Sequence, residues 1–166
     1  LCRALRNEYF ARTSEDESWL RTDMANRLTV SDFQEMIGRS RFHQLFRPVV
    51  LDVNYDSLEL VIKMTMSEDL ERQPDTNQWH GGAISAVIDT VGCYGLAMLS
   101  VEPLPTINFR TDYMRPAINT DLKLTAQIRR AGRLIGVVDV DVVDDRDRLI
   151  AVGRACYSIK DPLPLS

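Results

Sequence analysis

The chain has 166 residues, 45% of them hydrophobic and 27% charged, with a formal net charge of −4 at pH 7. That length suits one domain with a real core, and the composition is that of an ordinary globular protein. The mild negative charge speaks against nucleic acid or a membrane surface as partner, so an anionic ligand would need a local basic patch.

Three cysteines, Cys2, Cys93 and Cys156, are widely scattered with no CxxC, which predicts reduced thiols in a cytoplasmic protein. Two histidines, His43 and His80, exclude a His-rich metal site and leave a Ser/His/Asp hydrolase little to draw on. No basic-then-apolar leader follows Leu1, so no signal peptide is expected.

Residues 1–30 read as a polar, helical extension, and the helical pattern runs on to about residue 47. Ser14-Glu15-Asp16-Glu17 and Ser31-Asp32-Phe33-Gln34 each have the look of a capping box. The second predicts a helix that lays Phe33, Met36, Ile37 and Phe42 on a core. From Pro48 the pattern changes. VVLDVNYDSLELVIKMTM reads as two β-branched-rich runs around a turn at Tyr55-Asp56-Ser57. The polar loop SEDLERQPDTNQ follows.

Next comes WHGGAISAVIDTVGCYGLAML, residues 79–99, which predicts a helix from about Gly82 to Leu99, ended before Pro103 and Pro105. Its central acid, Asp89, and its glycines at 81, 82, 92 and 95 favour a buried helix over a membrane span. Four strands follow: Thr106 to Tyr113, LKLTAQIRR, LIGVVDVDVV after a turn at Ala131-Gly132-Arg133, and LIAVGRACYSI after DDRDR. The order predicts an α+β fold, an antiparallel sheet of about six strands wrapped around one long central helix. A helix apolar nearly all round must be covered on every side, and a second subunit would supply what one sheet cannot.

Asp89 is the only formal charge between Gly81 and Val101. The helix start offers free backbone N–H groups with partial positive charge, and glycines let a ligand approach them. His80-Gly81-Gly82 therefore reads either as an oxyanion site or as a plain tight turn. Helical spacing puts Gly82, Ser85, Gly92, Cys93 and Leu96 on the face of Asp89, mostly small residues that leave room beside the carboxylate. The opposing stripe, Ile84, Ile88, Val91, Gly95 and Met98, is the one for core packing. Two readings of Asp89 stay open: a carboxylate satisfied by backbone donors or an arginine, and a base or nucleophile aimed into a cavity.

HGGAISAVIDTVGCYG, followed by TINFRTDYMRPA, resembles the hotdog-fold acyl-CoA thioesterases of the PaaI type. The HGG, the Asp seven residues after its second Gly, and a strand ending in Y-x-R-P carry the resemblance, which covers about residues 31 to 160. It implies a single hotdog domain over 31–166, with residues 1–30 outside it. It further implies hydrolysis of acyl-CoA to free acid and CoA, with no cofactor beyond the CoA of the substrate. Two subunits would form one continuous sheet with active sites at the homodimer interface, and dimers would pair into a homotetramer. By resemblance the Gly81 N–H polarises the thioester carbonyl, Asp89 of the partner subunit is general base or nucleophile, and Thr106 helps hold the water or the carboxylate.

The family commonly carries Asn or Gln six residues before the HGG histidine; here that residue is Pro74. Gln73, Asn77 or Gln78 is the candidate to take over that role. His80 is read as shaping the turn beside the substrate rather than as a catalytic imidazole, with Gly82 next to it. Cys93 is read as a small core filler, since no base accompanies it. Arg115, Arg129, Arg130 and Arg133 are the candidates for the CoA phosphates, Arg129 and Arg130 on opposite faces of their strand. Val87, Tyr94 and Met98 would line the acyl tunnel. The alternative function is a non-catalytic acyl-CoA-binding hotdog sensor, favoured by Pro74 alone. A hotdog dehydratase needs a catalytic His paired to an acid, which neither histidine matches.

Overall fold

The computed structural model of the chain describes residues 27–99, 104–132 and 134–159. The expected helix start at Ser14, Pro103 and the candidate phosphate ligand Arg133 lie outside the described residues. Two short helices, α1 (Val30–Gly38) and α2 (Arg41–Gln44), lead into a hairpin of β1 (Val49–Asn54) and β2 (Glu59–Met64). A 3₁₀ turn (Glu68–Leu70) and a loop then reach the long helix α3 (Gly81–Ala97). Strands β3 (Thr106–Tyr113), β4 (Leu122–Ala131), β5 (Ile135–Asp144) and β6 (Leu149–Ser158) complete the order that the sequence predicts.

The six strands form one antiparallel sheet in the order β1-β2-β4-β5-β6-β3. Strict alternation explains which face is buried. Leu60, Ile62 and Met64 on β2, Leu122, Leu124, Ala126 and Ile128 on β4, and Val138, Val140 and Val142 on β5 all turn to one side. Across that side lies α3, which contacts β2 through β6. The predicted core stripe, Ile84, Ile88, Val91, Gly95 and Met98, is buried throughout. The helix rides close to the sheet: a Cβ on Gly136 of β5 would stand 2.1 Å from Leu96.

Two local expectations change. Helix α1 begins two residues before the Ser31 box, capped by Thr29. The Thr29 Oγ1 accepts from Asp32 N, and Asp32 Oδ2 accepts from Thr29 N at 2.7 Å. Gln34, freed from capping, ties α1 to the sheet: its amide donates to Pro48 O and accepts from Val50 N. Phe33 and Ile37 are fully buried, but Phe42 lies past the end of α1 and stays 52% exposed.

The two sheet edges differ. On β3 the first five residues are exposed, including Ile107 and Phe109, and Tyr113 is exposed at the far end. The strand also breaks alternation. Thr106 pairs with Tyr157 and Asn108 with Cys156, so Ile107 is an extra residue in a bulge. Strict period two would put Thr106 on the face opposite Phe109, Thr111 and Tyr113. The bulge brings it to theirs, the face toward α3.

Candidate active site

The segment before α3 is tied down on both sides. Trp79, 2% exposed, donates from its backbone N to Ala117 O and from its indole to Thr120 O. His80 N donates to Leu70 O at 2.8 Å. The His80 ring then caps α3, its Nδ1 accepting from Gly82 N at 2.9 Å, which puts the proton of the neutral ring on Nε2. This is the turn-shaping role expected of His80. Of the first N–H groups of the helix, Gly82 is thus satisfied, while those of Gly81 and Ala83 have no partner among the described residues.

Three side chains from the inner face of β3 run along the exposed flank of α3. Thr106 Oγ1 donates to Asp89 Oδ1 at 2.9 Å. The Tyr113 hydroxyl donates to Gly81 O at 2.6 Å and accepts from Ser85 Oγ at 2.6 Å, and Thr111 Oγ1 lies 3.2 Å from Ser85 Oγ. The result is a seam of hydroxyls with Asp89 at one end and the Gly81 peptide at the other. Asp89 is half-buried. Among the described residues no basic side chain pairs with it. A carboxylate held by one neutral hydroxyl keeps lone pairs for a water molecule.

From beneath, Tyr157 of β6 donates to the Asp89 backbone oxygen at 2.8 Å. Burial, and after it the charge of Asp89, pushes the Tyr157 phenol far above its ordinary value, so it remains a donor. Gly92 makes this bond possible, since a Cβ there would stand 2.4 Å from the Tyr157 hydroxyl. Gly92 and Leu96, expected beside Asp89 in a roomy pocket, instead face the sheet. Cys93 donates to Leu104 O at 3.6 Å, and burial pushes its thiol up to about 11, which keeps it protonated near neutral pH.

The remaining expected residues are dispersed. Asn77 takes a left-handed conformation (φ 47°) and lines an open groove of about 770 Å³ with Arg47, Asp69, Thr120 and Asp145. Gln78 bridges to Ile118 and accepts from Arg72 N through its backbone oxygen. Gln73 and Pro74 are exposed in the same loop. Arg115 follows the end of β3, at the Gly81 end of the seam, and its guanidinium donates to Leu149 O. Arg129 and Arg130 lie near the far end of β4, and Arg129 pairs with Asp139 at 2.7 Å alongside Arg154. Val87 and Met98 are buried, and Tyr94 donates to Met36 O, joining α3 to α1. Tyr113, Thr111 and Tyr157 are the site residues that spacing alone did not single out, whereas helical spacing puts Ser85 on the face of Asp89. The Y-x-R-P ending of β3 was the available signal for the first.

A family model described as "Thioesterase superfamily" matches residues 77–151, the stretch that holds the seam. The "Putative esterase Ta0293" of Thermoplasma acidophilum is 32% identical over 117 residues, which is 68% of this chain and 86% of that protein. "Acyl-coenzyme A thioesterase PaaI" of Escherichia coli K12 is 32% identical over 79 residues, 45% of this chain and 54% of that protein. An X-ray structure of a protein from the thioesterase superfamily superposes with a TM-score of 0.74 at 27% identity, covering 79% of this chain and 98% of the other. No helix among the described residues is long and apolar enough to cross a membrane.

Proposed function

The chain belongs to the thioesterase superfamily, as a PaaI-type thioesterase with the hotdog fold, and from that membership we propose that it hydrolyses acyl-CoA thioesters to a carboxylic acid and free CoA. The observation that carries the mechanism is that, among the described residues, the Gly81 N–H has no partner and the Asp89 carboxylate is held by a threonine hydroxyl alone. The Gly81 N–H, at the positive end of α3, receives the thioester carbonyl and stabilises the oxyanion as it forms. Asp89, oriented by Thr106 and Tyr157, takes a proton from water as that water attacks the carbonyl carbon. Collapse of the tetrahedral intermediate expels the CoA thiolate. Arg115, two residues past Tyr113, is the proposed partner of a CoA phosphate.

Gly81 and Asp89 lie eight residues apart on one helix, about 12 Å along its axis, too far to serve the same carbonyl within one protomer. This supports a site completed by a second copy. The exposed edge of β3 supports the same reading, since Thr106 at its start lies by Asp89 and Tyr113 at its end lies by Gly81. Antiparallel pairing of two β3 edges would carry one sheet across the homodimer. It would also set the Asp89 end of each protomer against the Gly81 end of its partner.

Thiol release over aryl, short, medium and long acyl-CoAs, with wild type beside Asp89→Asn, tests the assignment. Wild type is expected to hydrolyse at least one class, and the variant to lose roughly a hundredfold or more in kcat. Equal rates would make Asp89 structural. Tight acyl-CoA binding without turnover by wild type would instead support a sensor.

A further inference from the structure

We propose that Tyr113 is a positioning residue that aims the Gly81 N–H, working through the hydroxyl seam it shares with Ser85. The inference rests on the assignment of that N–H to the oxyanion. Glycine lacks the Cβ that narrows backbone torsions, and α3 opens with two of them. An N–H in such a turn has latitude in its direction, and an oxyanion donor needs its direction set in advance.

The surroundings of Gly81 remove that latitude from each side. Upstream, Trp79 and His80 are anchored to Ala117, Thr120 and Leu70. Downstream, the Gly82 N–H is taken by the His80 ring. On Gly81 itself the Tyr113 ring stands over the place of the missing side chain, 3.4–3.6 Å from an ideal Cβ, while its hydroxyl donates to the Gly81 carbonyl at 2.6 Å. Ring and hydroxyl therefore hold one residue at two points. Ser85, one helical turn on, fixes the hydroxyl in turn at 2.6 Å and is itself bound to Thr111.

Nothing about core formation requires this arrangement. Tyr113 is 51% exposed in the single protomer, so packing within that protomer does not by itself turn its hydroxyl inward. Two short hydrogen bonds to the first turn of α3 explain why it turns that way. Tyr113 needs no contact with the reacting atoms; it acts on the rate through the residue it holds, since its bond to the Gly81 carbonyl fixes the peptide next to the His80–Gly81 peptide that carries the N–H.

Steady-state kinetics of Tyr113→Phe, which keeps the ring and deletes only the hydroxyl, tests the proposal, with Ser85→Ala as a second variant and melting temperature as a control. The expected result is a fall in kcat of about tenfold for Tyr113→Phe and a smaller fall for Ser85→Ala, with KM nearly unchanged in both, the pattern of a donor misaimed in the transition state. Unchanged kcat in Tyr113→Phe overturns the proposal, as does a loss of kcat that tracks a lowered melting temperature. If wild type turns over and Asp89→Asn does not, either of those outcomes leaves the hydrolase reading intact. If wild type releases no CoA from any substrate, the oxyanion assignment fails and takes this proposal with it.

Discussion

Asp144 closes β5 with its carboxylate only 2% exposed, accepting from the N–H groups of Arg146 and Arg148 and from the Arg148 guanidinium. Burial pushes its carboxyl up, but the Arg148 side chain and the two backbone donors outweigh that and hold it below the ordinary carboxylate value. A proton therefore binds the unfolded chain more readily than the folded one. The stability this supplies is present above the unfolded carboxylate range, near pH 4, and is lost as pH falls through the lowered folded value. Asp144→Asn should melt lower at pH 7 and lose less stability on acidification, as thermal scans from neutral to strongly acidic pH would read. Parallel curves for the two proteins would remove Asp144 as a source of acid sensitivity. Asp89 contrasts with it: among the described residues a single hydroxyl holds its carboxylate and no cation pairs with it. Asp89 was legible in the sequence because a lone charge in an apolar helix has no packing reason to exist. Tyr113 and Tyr157 were not, since a strand tyrosine has an adequate reason in packing alone.

Helix α3 depends on close approach at Gly92 as much as on its apolar stripe. Gly92→Ala would drive a methyl to 2.4 Å from the buried Tyr157 hydroxyl, so the helix or the ring must move and the bond to the Asp89 carbonyl lengthen. A loss of about 1–3 kcal/mol in denaturant unfolding is expected, with reduced turnover in the protein that remains folded. Wild-type stability in this variant would mean that Tyr157 repacks freely. Element order and all six strands were readable from period-two runs and turn residues, because one face of each inner strand is buried. Two features were not. The bulge at Ile107 changes register without changing residue types, and TINFRTDY alternates too cleanly to betray it. The Thr29 cap pairs with an Asp where the motif calls for Glu or Gln, so the neighbouring Ser31 looked like the better start.

At the scale of the molecule, the distance between Gly81 and Asp89 makes a site shared between two subunits testable by complementation. Gly81→Pro deletes the donor at a position whose backbone accepts proline, because proline suits the first helical position and His80 already has the extended conformation (φ −68°, ψ 136°) that a following proline requires, while its ring would pack against Tyr113. It and Asp89→Asn should each be inactive alone. Mixed in equal amounts under subunit exchange, they should recover roughly a quarter of wild-type activity, since half the dimers are mixed and each mixed dimer has one site with both defects and one with neither. No recovery would mean that both groups act from the same chain. The sequence suggested a second subunit from the all-round apolar helix, but not which surface joins it. The proposed surface is the exposed β3 edge, and no periodicity encodes the strand order that puts it there. A catalyst divided in this way answers to mass action. Below the dissociation constant of the dimer, turnover per chain would rise with the amount of protein present, so abundance itself would set how active each molecule is.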